Sequence, residues 1–194
     1  MKKPCLLCFA IVMTCLTVTG CAEPSGQGTV TQADNKPVAP ASSRARWFST
    51  PVSKKPAPDF ELTALDGGKV RLSEYRGKPV VLQFFAFGCA PCRAEAPHIS
   101  YLAEQHRSDG LVVLAVNAWD EPKEILQQYI EQNNFRQRVL LNGAEVFERY
   151  DIPRGTVPTV FWIDRGGMIV DTIVGGTNPS NLRRNTTDLI NSKS

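Results

Sequence analysis

The chain has 194 residues, and its 22 lysines and arginines against 19 aspartates and glutamates leave a formal net charge of only +3. The basic residues are spread out and form no stripe, so the composition argues against a nucleic-acid-binding protein. Cysteine is the more informative residue type, because four of the six cysteines form two Cys-x-x-Cys pairs, Cys5–Cys8 and Cys89–Cys92.

The N-terminus is typical of a secretory signal. A short basic head, Lys2 and Lys3, precedes an apolar run that is shorter than the ~20 residues needed to span a bilayer. The run closes on Val-Thr-Gly and then Cys21, which resembles a bacterial lipobox, where the signal is cut before the cysteine and its thiol is lipidated. We therefore expect residues 1–20 to be a lipoprotein signal peptide and Cys21 to be the lipidated residue. An ordinary signal peptide, or a membrane anchor with an accidental cysteine, is the alternative.

Lipidation at Cys21 would also determine where the protein is located and which of its thiols remain free. Cys5, Cys8 and Cys15 would leave with the signal peptide, so the pair at 89 and 92 would hold the two free thiols of an exported protein, in a compartment where disulfides can form. The lipid would anchor this protein to a bacterial membrane outside the cytoplasm, on the periplasmic side if the source has two membranes.

Residues 21–56 are rich in proline, alanine, serine, threonine and glycine and show no hydrophobic period. Such a segment cannot bury enough apolar surface to offset the entropy that is lost on ordering. We interpret it as a flexible tether that begins at Cys21 and reaches about 30–35 Å. Residues 57–194 have the usual size of one domain with its own core, and we expect a monomer.

The first half of this domain alternates strands with helices. Short strands on either side of Leu-Asp-Gly-Gly at 65–68 predict an N-terminal hairpin. A continuous apolar run over 80–87 predicts a strand buried on both faces, and helical spacings then continue from Cys89 to about residue 107. A second buried strand is predicted over 111–116, followed by a helix that Asp120 would cap.

The second half ends in a hairpin and a helix. A short strand near 139–141 and a short helix near 144–150 are followed by strands over 157–163 and 168–174, which the turn Asp-Arg-Gly-Gly joins. A last helix is predicted to about residue 190, with its cap at Asn178. This order predicts an α/β fold with a mixed sheet and an antiparallel edge.

Cys89 falls where a buried strand ends and a helix begins. The free N–H groups and the dipole at a helix N-terminus favour an anion, so this setting lowers the pKa of a thiol and supplies the thiolate that attacks disulfides. Cys92 follows one helical turn later and would face inward, where it can resolve a mixed disulfide at Cys89. The pattern predicts a redox-active pair.

Two other uses of a Cys-x-x-Cys pair fit this chain poorly. A zinc site needs four ligands, usually from a second cysteine pair or two closely spaced histidines, whereas His98 and His106 are eight residues apart. We therefore expect no metal site. A structural disulfide across so short a loop would contribute only about 2 kcal/mol.

Two segments, "FFAFGCAPCRAEAP" and "GTVPTVFWIDRGGMIV", together resemble the TlpA/ResA-type (DsbE-like) membrane-tethered thioredoxins, over about residues 57–190. The resemblance implies the thioredoxin fold, a central mixed β-sheet flanked by helices. It implies an extracytoplasmic thiol–disulfide oxidoreductase without a cofactor, whose partners are disulfide- or thiol-bearing proteins and a membrane thiol electron donor. A reductant role, such as that in cytochrome c maturation, is favoured over an oxidant role.

The resemblance also implies roles for individual residues. Cys89 matches the exposed nucleophile and Cys92 the buried resolving thiol. Pro158 matches a proline that is cis in this fold and faces the cysteines, which leaves the Val157 backbone free to pair with an extended substrate segment. Glu95 matches an active-site carboxylate that tunes thiol reactivity, although a solvated helix residue is the alternative.

Two positions depart from the family pattern. The tryptophan that usually precedes the first cysteine is Gly88, which removes a flat contact surface. The acid that thioredoxin buries beneath its cysteines is Gln83, which cannot accept a proton. Any base for Cys92 must therefore come from elsewhere, and Glu95 is the candidate.

Three other functions stay open at the level of the sequence. A peroxiredoxin-like thiol peroxidase shares the fold, but its thiol normally has a threonine three residues upstream, where this chain has Ala86. A thioredoxin-fold copper-binding metallochaperone uses cysteines one residue further apart and a more distant histidine than His98. The third is a purely structural tethered domain.

Overall fold

The computed structural model describes residues 54–192, apart from the side chain of Arg154. The predicted signal peptide, the lipidated Cys21 and the tether as far as residue 53 lie outside the described residues and stay predictions. None of the helices between residues 54 and 192 has both the length and the apolar character needed to cross a membrane.

Between residues 54 and 192, eight strands form a six-stranded mixed sheet and a separate hairpin. They are β1 (Lys55–Pro56), β2 (Glu61–Thr63), β3 (Lys69–Arg71), β4 (Val80–Phe85), β5 (Val112–Asn117), β6 (Arg138–Leu140), β7 (Thr159–Ile163) and β8 (Met168–Val174). The sheet has the order β1-β8-β7-β4-β5-β6, in which β4, β5 and β6 are parallel and the other pairings are antiparallel. β2 and β3 form the predicted hairpin.

Four helices of the described chain cover the sheet: α1 (Ala90–Gln105), α2 (Lys123–Gln132), α3 (Ala144–Arg149) and α4 (Pro179–Asn191). α1 and α4 pack on the face that carries Val81, Val160 and Trp162. α3 and the hairpin close the opposite face around Phe84. This is the predicted thioredoxin fold, a central mixed sheet between layers of helices.

The strand that leads to the cysteines is shorter than predicted. β4 is buried along its whole length, as its continuous apolar sequence indicates, and Gln83 lies on the α1 face between Val81 and Phe85. The prediction extended this strand to Phe87, but it ends at Phe85. The chain then turns through Gly88, which has a φ of +75°, a conformation that glycine adopts without steric cost. Phe87 is consequently exposed.

Asn178 caps α4 as predicted, because its side chain accepts a hydrogen bond from Asn181 N at 3.0 Å. The prediction that Asp120 caps the helix after it was wrong. α2 begins at Lys123 without a side-chain cap, and Asp120 Oδ1 accepts a hydrogen bond from Ala144 N at 3.0 Å instead. Asp120 has a φ of +52°, which turns its side chain towards the start of α3.

Candidate active site

Cys89 and Cys92 are joined by a disulfide at the junction of β4 and α1, with an S–S distance of 2.07 Å. Cys89 caps the helix, and its Sγ accepts a hydrogen bond from Cys92 N at 3.2 Å. A backbone N–H that points at Sγ would stabilise a thiolate there after reduction. Cys89 is partly exposed whereas Cys92 is fully buried, so a partner molecule can reach only the first sulfur.

Glu95 lies on α1 three residues after Cys92 and is only 2% exposed, so the alternative that it is a solvated helix residue is wrong. Its Oε1 accepts a hydrogen bond from Thr177 N at 2.5 Å, and its Oε2 has no partner among the described residues. Burial raises the pKa of the Glu95 carboxyl to about 7, although the Thr177 N–H opposes the shift. A carboxyl with this pKa can give or take a proton near neutral pH.

Gln83 lies on β4, on the face that packs against α1. Its side chain is fully buried, and its amide lies close enough to Glu95 to lower the pKa of that carboxyl somewhat. Neither Gln83 Nε2 nor Glu95 Oε2, however, makes a hydrogen bond of acceptable geometry within the described chain. Gln83 and Glu95 thus each carry one buried polar atom without a partner in this part of the chain.

Val157 and Pro158 are joined by a cis peptide bond, the geometry that the resemblance implies. Pro158 is buried, and Val157 is half-buried. Val157 and Cys89 both pack against the apolar cluster that contains Cys92. The sheet pairing of β7 begins at Thr159, two residues after Val157. Val157 and Cys89 thus share one apolar cluster.

A surface cleft of about 680 Å³ opens beside α1. Pro91 and Glu95 line it from α1, and Thr177, Asn181 and Arg184 line it from the chain around the start of α4. The cleft provides a route by which the Glu95 carboxyl can exchange protons with solvent.

Glu121 is a site residue that the sequence did not predict. Its Oε1 accepts a hydrogen bond from Phe87 N at 2.7 Å, and its Oε2 accepts one from Asn117 Nδ2. Asn117 Oδ1 in turn accepts one from Glu121 N at 3.0 Å. Glu121 therefore fastens the loop that precedes Cys89 to the end of β5. No local pattern could have indicated this, because the contact joins residues 34 positions apart.

Two exposed aromatic side chains follow neighbouring strands. Phe85 and Asn117 are paired partners on β4 and β5, and Phe87 and Trp119 each lie two residues beyond them. They are 49% and 56% exposed, respectively. The sequence placed Phe87 in a buried strand, so Phe87 is more accessible than expected.

Neither histidine is buried with the cysteines. His98 is an exposed residue of α1, and His106 follows the C-terminal end of that helix, where its Nδ1 lies 2.8 Å from Asp109 Oδ2. Residues 54–192 contain no cluster of three or more histidine, cysteine, aspartate or glutamate side chains with the geometry of a metal site.

Comparison with known proteins gives a consistent set of relatives. A model of the AhpC/TSA family matches residues 53–172. The thiol-disulfide oxidoreductase ResA of Geobacillus kaustophilus is 35% identical over 129 residues, which are 66% of this chain and 72% of that protein. The crystal structure of a thiol:disulfide interchange protein of the thioredoxin family from Chlorobium tepidum has a TM-score of 0.60 and 26% identity, over 71% of this chain and 97% of that chain. The thioredoxin domain of a thiol-disulfide oxidoreductase from Bacteroides vulgatus has a TM-score of 0.63 and 25% identity, over 71% and 96%.

Proposed function

Since the chain belongs to the AhpC/TSA family and is a TlpA/ResA-type thiol–disulfide oxidoreductase, we propose that Cys89 and Cys92 are the pair that exchanges disulfides with its protein substrates. The observation that carries this proposal is the difference in access between the two sulfurs. Cys89 is partly exposed at the start of α1, whereas Cys92 is fully buried behind it. An attacking thiol needs access to its partner, and a resolving thiol needs only access to the first sulfur.

The reaction begins from the reduced enzyme. The Cys89 thiolate attacks one sulfur of the substrate disulfide, which forms a mixed disulfide and releases the other substrate sulfur as a thiolate that takes up a proton. Cys92 then loses its proton and attacks Cys89 Sγ. The second substrate sulfur leaves as a thiolate and is protonated, and the Cys89–Cys92 disulfide forms. Two electrons have passed from the enzyme to the substrate.

Glu95 is the proposed acceptor of the Cys92 proton. The two residues lie three positions apart on α1, so their side chains are neighbours on one face of the helix. Burial brings the pKa of the carboxyl to about 7, so it can take and release a proton near neutral pH, and the cleft that Glu95 lines lets the proton leave to solvent.

Val157 and Pro158 are the proposed substrate-binding residues. An extended segment of the substrate would pair with the Val157 backbone by strand addition, with its cysteine in front of Cys89. This proposal is supported by the position of Val157, which precedes the paired part of β7 and packs against the same cluster as Cys89.

We further propose that the enzyme works outside the cytoplasm, anchored through lipid on Cys21, and that it acts as a reductant in a role like that in cytochrome c maturation. A membrane thiol donor would return electrons to the Cys89–Cys92 disulfide. The lipobox-like sequence before Cys21 supports the anchor, and the resemblance of the two motif segments supports the direction.

The equilibrium reduction potential of the pair tests the direction. The purified protein would be equilibrated in glutathione or dithiothreitol buffers, and the oxidised fraction measured by thiol alkylation. A potential at or below roughly −230 mV is expected of a reductant, whereas a value near −120 mV would make the protein an oxidant. A pair that does not cycle at all would contradict the proposed site.

A further inference from the structure

Four polar side chains are buried between α1 and the sheet. Glu95 is 2% exposed, and Gln83, Ser100 and Gln137 are 0%, 4% and 6% exposed. The proposed exchange reaction uses only Glu95. A buried polar group costs free energy unless it is hydrogen-bonded, so the other three raise the question of what their hydrogen bonds hold in place.

The hydrogen bonds of this cluster have a definite direction. Gln137 Oε1 accepts from the backbone N–H of Arg136 at 3.1 Å and lies 2.6 Å from Ser100 Oγ. The same N–H also donates to Ser100 Oγ at 3.0 Å. Because a backbone N–H can only donate, the end of Gln137 that faces it is the carbonyl oxygen. The other end, Gln137 Nε2, then donates to Gln83 Oε1 at 3.4 Å.

This chain of bonds determines which way the Gln83 amide faces. With its Oε1 taken by Gln137, the end that remains is Nε2, a donor. Within the described part of the chain, Gln83 Nε2 is a buried donor without an acceptor, and Glu95 Oε2 is a buried oxygen without a donor. Gln83 lies on β4 between Val81, which packs with Ile99, and Phe85, which packs with Cys92 and Ala96. Its amide therefore faces the level of α1 at which Glu95 is buried, and it lowers the pKa of that carboxyl.

We propose that Gln83 is a positioning residue for Glu95. Gln83 Nε2 donates to the ionised Glu95 Oε2, directly or through one water, and Gln137 holds the Gln83 amide in this orientation. The inference rests on the proposed role of Glu95. A donor that cannot itself ionise favours the carboxylate without adding a second charge. An acid at position 83 would instead face Glu95, and two adjacent buried carboxyls cannot both ionise easily.

Other groups around Glu95 leave this role to Gln83. On its own helix, the buried Cys92 and the exposed His98 lie three residues before and after Glu95. From the chain before α4, the Thr177 N–H already serves Oε1. Arg184 is the charged residue that lines the same cleft from α4, and its Nε donates to Asn185 Oδ1 at 3.3 Å.

Carboxyl ¹³C NMR of the oxidised protein tests the proposal, because it follows the titration of Glu95 without requiring exchange activity. In Gln83→Leu the titration midpoint is expected to rise by about 1–2 pH units, since the carboxylate loses a charge-assisted hydrogen bond. Gln137→Leu is expected to raise it by less, because the Gln83 amide remains but is free to turn. Gln127→Leu, on the exposed face of α2, is the control and is expected to leave the midpoint unchanged.

An unchanged or lowered midpoint in Gln83→Leu overturns the proposal. If that variant does not fold, the near-isosteric Gln83→Glu takes its place. Two overlapping titration steps that replace the single Glu95 step are then expected, whereas a single unchanged step overturns the proposal. The proposed function fails separately, if Cys89 forms no mixed disulfide in wild-type or variant protein while the NMR midpoint still shifts.

Discussion

Thr177 donates its backbone N–H to Glu95 Oε1 at 2.5 Å, so the helix that carries the cysteines is tied to the start of α4 through a buried carboxyl. The bond joins residues 82 positions apart. It places Glu95 in the core beneath the disulfide, where burial raises the pKa of the carboxyl from 4.5 to about 7.

This raised pKa predicts that the oxidised protein loses stability as the pH rises. Between pH 4.5 and about pH 7 the folded state keeps the proton on Glu95, whereas the unfolded state has released it. The contribution of the neutral, buried Glu95 carboxyl to stability is therefore fully present below pH 4.5 and is lost by about pH 7. The free energy of unfolding from urea titrations should fall by up to about 3 kcal/mol over this window.

Glu95→Gln is the matched variant, because its amide oxygen can still accept the Thr177 hydrogen bond and it does not titrate. Relative to this variant, wild type should lose up to about 3 kcal/mol between pH 4.5 and about pH 7, and the difference should be constant above that. A pH profile that is identical in both proteins would show that Glu95 titrates normally.

Replacing Gly88 should carry a conformational cost at the turn before the cysteines. Its φ is +75°, and a Cβ added there would meet nothing within 4 Å. Gly88→Ala should therefore destabilise the protein by about 1–2 kcal/mol through backbone strain alone. Gly88→Asn should cost less, because asparagine tolerates this conformation better. Equal urea midpoints for alanine and asparagine would rule out this explanation.

The hydrogen bond from the Phe87 N–H to Glu121 should order the loop before Cys89. Glu121→Ala removes the acceptor of the Phe87 N–H, so hydrogen exchange at the Phe87 amide should become at least several-fold faster. The loss of stability should be about 1–3 kcal/mol, because donors that were satisfied lose their partner. Glu124→Ala, on the exposed side of α2, should change neither quantity. If Phe87 exchanges at the same rate in Glu121→Ala, the contact does not order the loop.

The hydrogen bond between Trp162 and Thr186 should stabilise the packing of α4 on the sheet. Trp162 Nε1 donates to Thr186 Oγ1 at 3.1 Å, and both side chains are fully buried. Thr186→Val keeps the shape but leaves the indole N–H unpaired, which should cost about 1–3 kcal/mol in urea unfolding. Thr187→Val, one position along and exposed, is the control and should stay within about 0.5 kcal/mol of wild type.

Local patterns predicted the order of the elements and the place of the cysteines. The apolar run of β4 indicates a strand buried on both faces, and Asn178 indicates a helix start by chemistry confined to its own turn. Asp120 shows the limit of this reasoning, because its side chain caps a helix 24 residues away. Such a partner depends on how the strands are arranged in space, which no short sequence window contains.

The candidate site shows the same division. The exposure of Cys89 and the burial of Cys92 follow from a helix that begins directly after Cys89, so the sequence could predict them. The environment of Glu95 could not be predicted, since Thr177 and Gln83 reach it from other elements. Phe87 was placed inside because it ends the continuous apolar run of β4, whereas the loop after β4 exposes it.

The most direct test of the account is to trap the mixed disulfide. Reduced Cys92→Ser and Cys89→Ser variants would be mixed with oxidised glutathione, and the adduct located by mass spectrometry of the cysteine-containing peptides. The account predicts a stable glutathione adduct on Cys89 in Cys92→Ser, because the resolving thiol is gone, and little or none on Cys92 in Cys89→Ser, because that sulfur is buried. Equal labelling of both cysteines, or labelling of Cys92 alone, would contradict the account.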